Sequence, residues 1–211
     1  MLSLYAPSPR TIVFALLLVL MPATLSHAQS VSEILNKADE KSEEINRVLK
    51  ALQNSDKNTQ YALVEALLKE KDKALLRVGR EHALFSTNPV LQNMAIESVF
   101  NTNPQVRLVL TEGDSPEALR WVEYVGGVSD GRSGMVMLET GTHNGSCWLQ
   151  PIFGNCRFTV LGNTVQFANQ ANGGQAVMRA QASLTLGPDG VLDGLILSSS
   201  GRARVSIDLK E

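Results

Sequence analysis

The composition of this chain changes at Pro104, and that change constrains the fold more than any single motif. Seven of the eight lysines precede it, whereas the glycines crowd into the part after position 125. Glycine at that density, between β-branched runs, marks turns that join short strands. The part before Pro104 instead carries apolar residues at helical spacing. The expected architecture is α+β. An N-terminal bundle of three to four helices occupies 29–104, and an antiparallel β-meander with one short helix, curling into a half-barrel or sandwich, occupies 105–211.

In the first half, Val31, Ala38, Ile45 and Leu52 recur every seven residues, with Ile34 and Val48 between them and Lys41 interrupting the seam. Charged residues fill the remaining positions, and Glu33–Lys37 and Glu43–Arg47 stand at the favourable i,i+4 spacing. The pattern reads as an amphipathic helix on its own domain, with a dimerising or partner-binding helix over 30–54 as the functional alternative. Asn54-Ser55-Asp56 ends it. Thr59 is expected to cap a second helix running to about Lys69, and Asp72 a third. Asn88-Pro89 opens a fourth, which stops before Asn103-Pro104. Short antiparallel helices over Thr59 to Asn101 resemble the helical hairpins of HEAT-type arrays. The stretch is too short for the three units such an array needs, so it is read as a bundle and assigned to no family.

In the second half, strands are expected at Val106–Thr111, Ser133–Glu139, Ser146–Ile152, Arg157–Leu161, Thr164–Asn169, Ala176–Leu186, Val191–Ser198 and Ala203–Leu209. A helix starting at Ser115-Pro116, with Asp114 and Glu117 as a capping box, is expected to run to Gly126-Gly127. Gly162-Asn163 suits a two-residue hairpin. With about seven strands after that helix, the meander falls short of a closed eight-stranded cup, so no spacious ligand cavity is implied.

Residues 1–28 read as a secretory signal peptide. Arg10 is the basic flank, Ile12–Leu20 the apolar run, and Ser26 and Ala28 the small residues before cleavage. The apolar run is shorter than the roughly 20 residues a spanning helix needs, and Pro22 interrupts it. The expected address is therefore secreted or periplasmic, with no stable membrane insertion after cleavage. A formal charge of -2 argues against a general affinity for nucleic acid.

The chemistry-bearing residues are few. Cys147 and Cys156 flank eight residues, and in an oxidising compartment the default is a disulfide closing that loop. His143, in the polar loop Thr142–Ser146, suits a general base or ligand through its unperturbed pKa of about 6.5. The competing reading is an exposed Asn-Gly turn. Asn144-Gly145-Ser146 also matches the acceptor pattern for N-glycosylation, which operates in eukaryotic cells. His82 lies on the third helix with no second histidine at i+4, so neither metal nor cofactor is expected. No Gly-x-Ser-x-Gly elbow or Walker A run occurs. Glu112, Asp114, Glu117, Glu123 and Glu139 are acid candidates only by default.

Trp121 and Tyr124, with Trp148 and Phe153, form either an anchoring patch for a partner or the seam between the two halves. The functional expectation is a non-catalytic interaction protein acting through surface contact with another macromolecule. One alternative is a small-ligand or glycan module on the sheet face, with Trp148 near its mouth. The other is a hydrolase using His143.

Overall fold

The computed structural model describes residues 30–115, 117–173 and 176–210. Residues 1–28, expected to be a signal peptide, lie outside the described residues. Two compact units are distinguished, residues 1–40 and 41–211. The first contributes Ser30–Glu40, all exposed, to the start of helix α1 (Val31–Asn54). Its entry is a capping box that the sequence reading did not use. The Glu33 backbone N–H donates to Ser30 Oγ at 3.3 Å, and Ser30 N–H donates to Glu33 Oε2 at 3.2 Å.

The second unit begins with the rest of α1, where Ile45 and Val48 are half-buried and Leu52 is fully buried. Helices α2 (Lys57–Leu68), α3 (Lys73–Leu84) and α4 (Pro89–Thr102) follow. The cap of α2 is Asp56, not the expected Thr59. Asp56 Oδ1 accepts from Asn58 N–H and Thr59 N–H, while the Thr59 hydroxyl donates to Asp56 Oδ2 at 2.6 Å. The carboxylate offers two acceptor atoms one residue before the helix, so it satisfies both the backbone and the hydroxyl. Asp72 caps α3 as expected, and its second oxygen accepts from Lys41 at 2.6 Å. The lysine that interrupts the heptad seam thus pairs with the cap of another helix.

After Pro104 the chain forms one ten-stranded antiparallel sheet, curled into a half-barrel. Its strands are β1 (Gln105–Thr111), β2 (Val128–Ser129), β3 (Gly134–Glu139), β4 (Thr142–His143), β5 (Trp148–Leu149), β6 (Cys156–Leu161), β7 (Thr164–Gly173), β8 (Ala176–Leu186), β9 (Val191–Ser198) and β10 (Gly201–Asp208). The order is β2-β3-β1-β10-β9-β8-β7-β6-β5-β4. From β4 to β10 this is a meander of neighbouring hairpins. β1 then pairs with β10, Leu110 opposite Val205, and carries β3 on its other edge.

Two expectations are corrected here. The helix proposed from Ser115 is a turn over 117–119 followed by a short α5 (Arg120–Tyr124) without a side-chain cap. Asp114 is drawn away from capping because its carboxylate accepts from the backbone and side chain of Arg202 on β10. Pro116 lies outside the described residues. The strand proposed over Ser146–Ile152 shrinks to Trp148–Leu149, because Pro151 has no N–H and Gly154 N–H donates back to Gln150 O at 2.8 Å, closing a turn.

One buried cluster runs from Leu52 through α2–α4 into the sheet. Alternate residues of β7, β8 and β10 face it, among them Val165, Phe167, Ala182, Leu184, Val205 and Ile207. Phe100 of α4 packs against Trp148 and Phe158, with ring centroids 5.3 and 4.8 Å apart. Fully burying side chains of this size contributes about 1.5–3 kcal/mol each, so the helices and the strands stabilise one another.

Candidate functional site

The expected disulfide is present between Cys147 and Cys156, with Cα atoms 5.6 Å apart. It joins the residue just before β5 to the first residue of β6 and encloses the turn that carries Ile152 and Phe153. His143, on β4, is exposed and stacks on the buried Trp148 ring at 4.4 Å. The Asn144 side chain closes the neighbouring turn by accepting from Ser146 and Cys147 N–H, an Asx arrangement that suits the Asn-Gly pair. Among the described residues, His143 makes no hydrogen bond to a serine or carboxylate.

The four aromatic candidates separate into two kinds. Trp121 and Trp148 are each 1% exposed and belong to the interior, Trp121 against Phe167 and Trp148 against Phe100. Trp148 Nε1 donates to Asn101 on α4 at 3.2 Å, fixing the helix to the sheet. Neither indole lies at the protein surface, and Trp148 is absent from the lining of the cleft described below. Tyr124 is exposed, Phe153 is half-buried, and both line the same cleft.

That cleft, of about 460 Å³, sits where the curled sheet stops short of closing. One wall is β3, with Met137, Leu138 and Glu139. The other is formed by Gln150, Pro151, Ile152 and Phe153 from the disulfide loop, Arg157 of β6 and Gln170 of β7. Arg157 bridges the gap: its Nη1 donates to the Glu139 carbonyl at 2.5 Å. It reaches across because the β5–β6 pairing slips by one residue, Trp148 opposite Phe158 but Leu149 opposite Cys156, which leaves Arg157 as the extra residue of a bulge. Bulges re-aim side chains in this way. Gln150 is buried and reciprocally bonded to the Gln170 backbone, its Nε2 donating at 2.5 Å and its Oε1 accepting at 3.2 Å.

Arg157 is only 7% exposed, and its Nε–H is buried without a partner among the described residues. Burial pushes the guanidinium below its ordinary value, and the nearby Glu139 carboxylate works in the opposite sense. By sequence alone Arg157 is the first residue of an expected strand. A charged residue opening the mostly apolar run Phe158-Thr159-Val160-Leu161 is the one available signal.

The remaining candidates are scattered. Asp114 pairs with Arg202, Glu112 lies 4.0 Å from Arg204, and Glu117 and Glu123 are exposed. Of the five acids only Glu139 lines the cleft. His82 is half-buried on α3, and burial lowers its pKa. Among the described residues no group of three or more His, Cys, Asp or Glu could hold a metal ion, and no helix is long and apolar enough to cross a membrane.

The other distinctive surface is the start of α1. Val31, Ile34 and Leu35 are 73%, 52% and 58% exposed on consecutive turns, with Glu33, Asp39 and Glu40 beside them. No protein-family model, curated protein or solved structure matches the chain.

Proposed function

We propose that this chain is an exported, non-catalytic protein that works through surface contact with another macromolecule, using the first turns of α1. The supporting observation is the exposed stripe Val31, Ile34 and Leu35. In the second unit, Ile45, Val48 and Leu52 of the same heptad series are already packed in the core. Fewer than two heptads therefore remain, against the three to four a coiled coil needs. An apolar groove with a basic rim fits this short acidic stripe better than a second copy of the helix does. Burying three aliphatic side chains that are already partly covered is worth on the order of 4 kcal/mol, which by itself is millimolar affinity. The contact is weak unless the partner adds polar bonds at the rim. The Cys147–Cys156 disulfide supports an oxidising compartment, either secreted or periplasmic.

The test replaces Val31, Ile34 and Leu35 by serine in the full chain. A deletion through Asn54 is unsuitable, because it also removes Leu52 from the core. Partners recovered from the native compartment should be lost while the unfolding curve is unchanged. An unaltered set of partners, together with unaltered mass by light scattering, refutes the reading.

A second reading, a binding module for a small ligand, is favoured by one observation. Tyr124 and Phe153 share the cleft at the sheet gap.

A further inference from the structure

We infer that the cleft binds a carboxylate joined to an apolar body, with Arg157 as the anion receptor. The inference rests on the small-ligand reading of this cleft and adds the ligand's chemical class.

A guanidinium carries five N–H donors and a permanent charge. At Arg157, Nη1 bonds to the Glu139 carbonyl, and Nε is buried with no partner. A carbonyl oxygen answers a hydrogen bond but not a charge. Among the described residues this buried cation hydrogen-bonds only to that carbonyl and forms no ion pair, the exposed Glu139 carboxylate acting on it only through space, so it is a receptor for an anion, and carboxylates match the planar fork best. Placement agrees with this chemistry. The bulge aims the residue into the gap between β6 and β3, and the gap is the cleft. Gln150, which could otherwise compete for the anion, is committed to the Gln170 backbone.

The remaining walls select the rest of the ligand. Tyr124, Met137, Ile152 and Phe153 give an apolar lining, and Ile152, 82% exposed, stands at the rim. A cleft of about 460 Å³ falls within the usual range for small organic ligands. Glu139 is the only acid in the lining, and its exposed carboxylate opposes an incoming anion. It therefore weakens binding at the site and favours ligands whose carboxylate reaches past it to Arg157.

The chemistry could come from a fatty acid or from the free C-terminus of a peptide, so the experiment carries both. Decanoate and a tetrapeptide ending in phenylalanine are titrated by calorimetry into the full, disulfide-bonded chain, each beside its carboxamide. At least one acid should bind saturably and about tenfold tighter than its amide, as loss of a charge-assisted bidentate pair implies. Glu139→Gln should tighten that acid, and Arg157→Met should abolish its advantage over the amide. Acid and amide binding equally in both pairs overturns the carboxylate assignment and leaves the small-ligand reading standing. Loss of affinity in Glu139→Gln also overturns it. The absence of saturable binding by all four probes overturns the assignment and the small-ligand reading together. Since the acid–amide comparison uses the unmutated chain, it stands even if Arg157→Met fails to fold.

Discussion

Gly79 sits in the middle of α3, where exchange for alanine ordinarily stabilises a helix by about 1 kcal/mol. Here the opposite is expected. A Cβ built on Gly79 lies 2.5 Å from the Leu67 Cβ on α2 and 3.5 Å from the Leu67 carbonyl carbon, whereas ordinary contacts begin at 3.4 Å. The obstructing atom is not the tip of a flexible side chain, so no rotamer change relieves it. α2 and α3 must part by nearly an ångström at that level, and gaps of that size forfeit a quarter to a half of each dispersion contact beside them. Val64, Leu75 and Ala83 are buried on these two helices and share the loss. Overpacking of a filled core costs about 1–3 kcal/mol, sometimes more, and this approach is severe enough to outweigh the propensity gain. Gly79→Ala should therefore destabilise by about 1–2 kcal/mol, lowering the melting temperature by roughly 2–8 °C for a chain of this size. Urea titration of the purified chain, monitored by far-ultraviolet circular dichroism, measures the change. Leu67→Ala should not rescue the variant, since its Cβ remains, whereas Leu67→Gly should show favourable coupling with it. A Gly79→Ala chain as stable as the parent, or more so, refutes the close-approach argument.

Two further perturbations test other parts of the fold. Replacing Cys147 and Cys156 by alanine opens a ring of about ten residues, which chain entropy values at roughly 2.5–3 kcal/mol. Urea unfolding should report that loss, and amide exchange should speed up more around Ile152 and Phe153 than in α2–α4. Equal acceleration everywhere would contradict a local role for the bond. Asp72→Asn keeps an N-cap acceptor but loses the ion pair with Lys41. The Lys41 ammonium, and then the backbone N–H groups of Leu75 and Ala74, hold the Asp72 carboxyl below its ordinary value. A group depressed in the folded state stabilises above its unfolded pKa, about 3.9, and that contribution fades as pH falls through the lower folded value. The parent should be the more stable at pH 7, and the two unfolding curves should converge in acid. A gap that stays constant to the lowest accessible pH would refute the assignment.

Much of the secondary structure is legible in the order of residues alone. Asp72 and Asn88-Pro89 marked helix starts, and both cap as read. The turn at Gly162-Asn163 marked the hairpin of β6 and β7, and the burial of β7 and β8 alternates with the period of two. The two cysteines announced their bond. These signals are local: a cap, a turn or an alternation is complete within a few residues, so the order along the chain carries it. β2, β4 and β5 were missed or misjudged because two residues cannot express a period.

What the order of residues could not decide depends on distant partners. The helix start at Ser115 failed because Arg202, far along the chain, holds the Asp114 carboxylate. Trp121 and Trp148 suited either an exposed patch or an internal seam, and only the packing of Phe167 and Phe100 against them placed both indoles inside. Gly79 reads as a weak point in a helix until Leu67 is seen against it. Arg157 reads as a strand residue until the sheet curls and a one-residue slip turns it across the gap toward Glu139. Local signals persist whatever the rest of the chain does. Burial, charge pairing and the shape of a cleft arise only when remote segments meet, which is why this chain's helices and hairpins could be read in advance and its cleft could not.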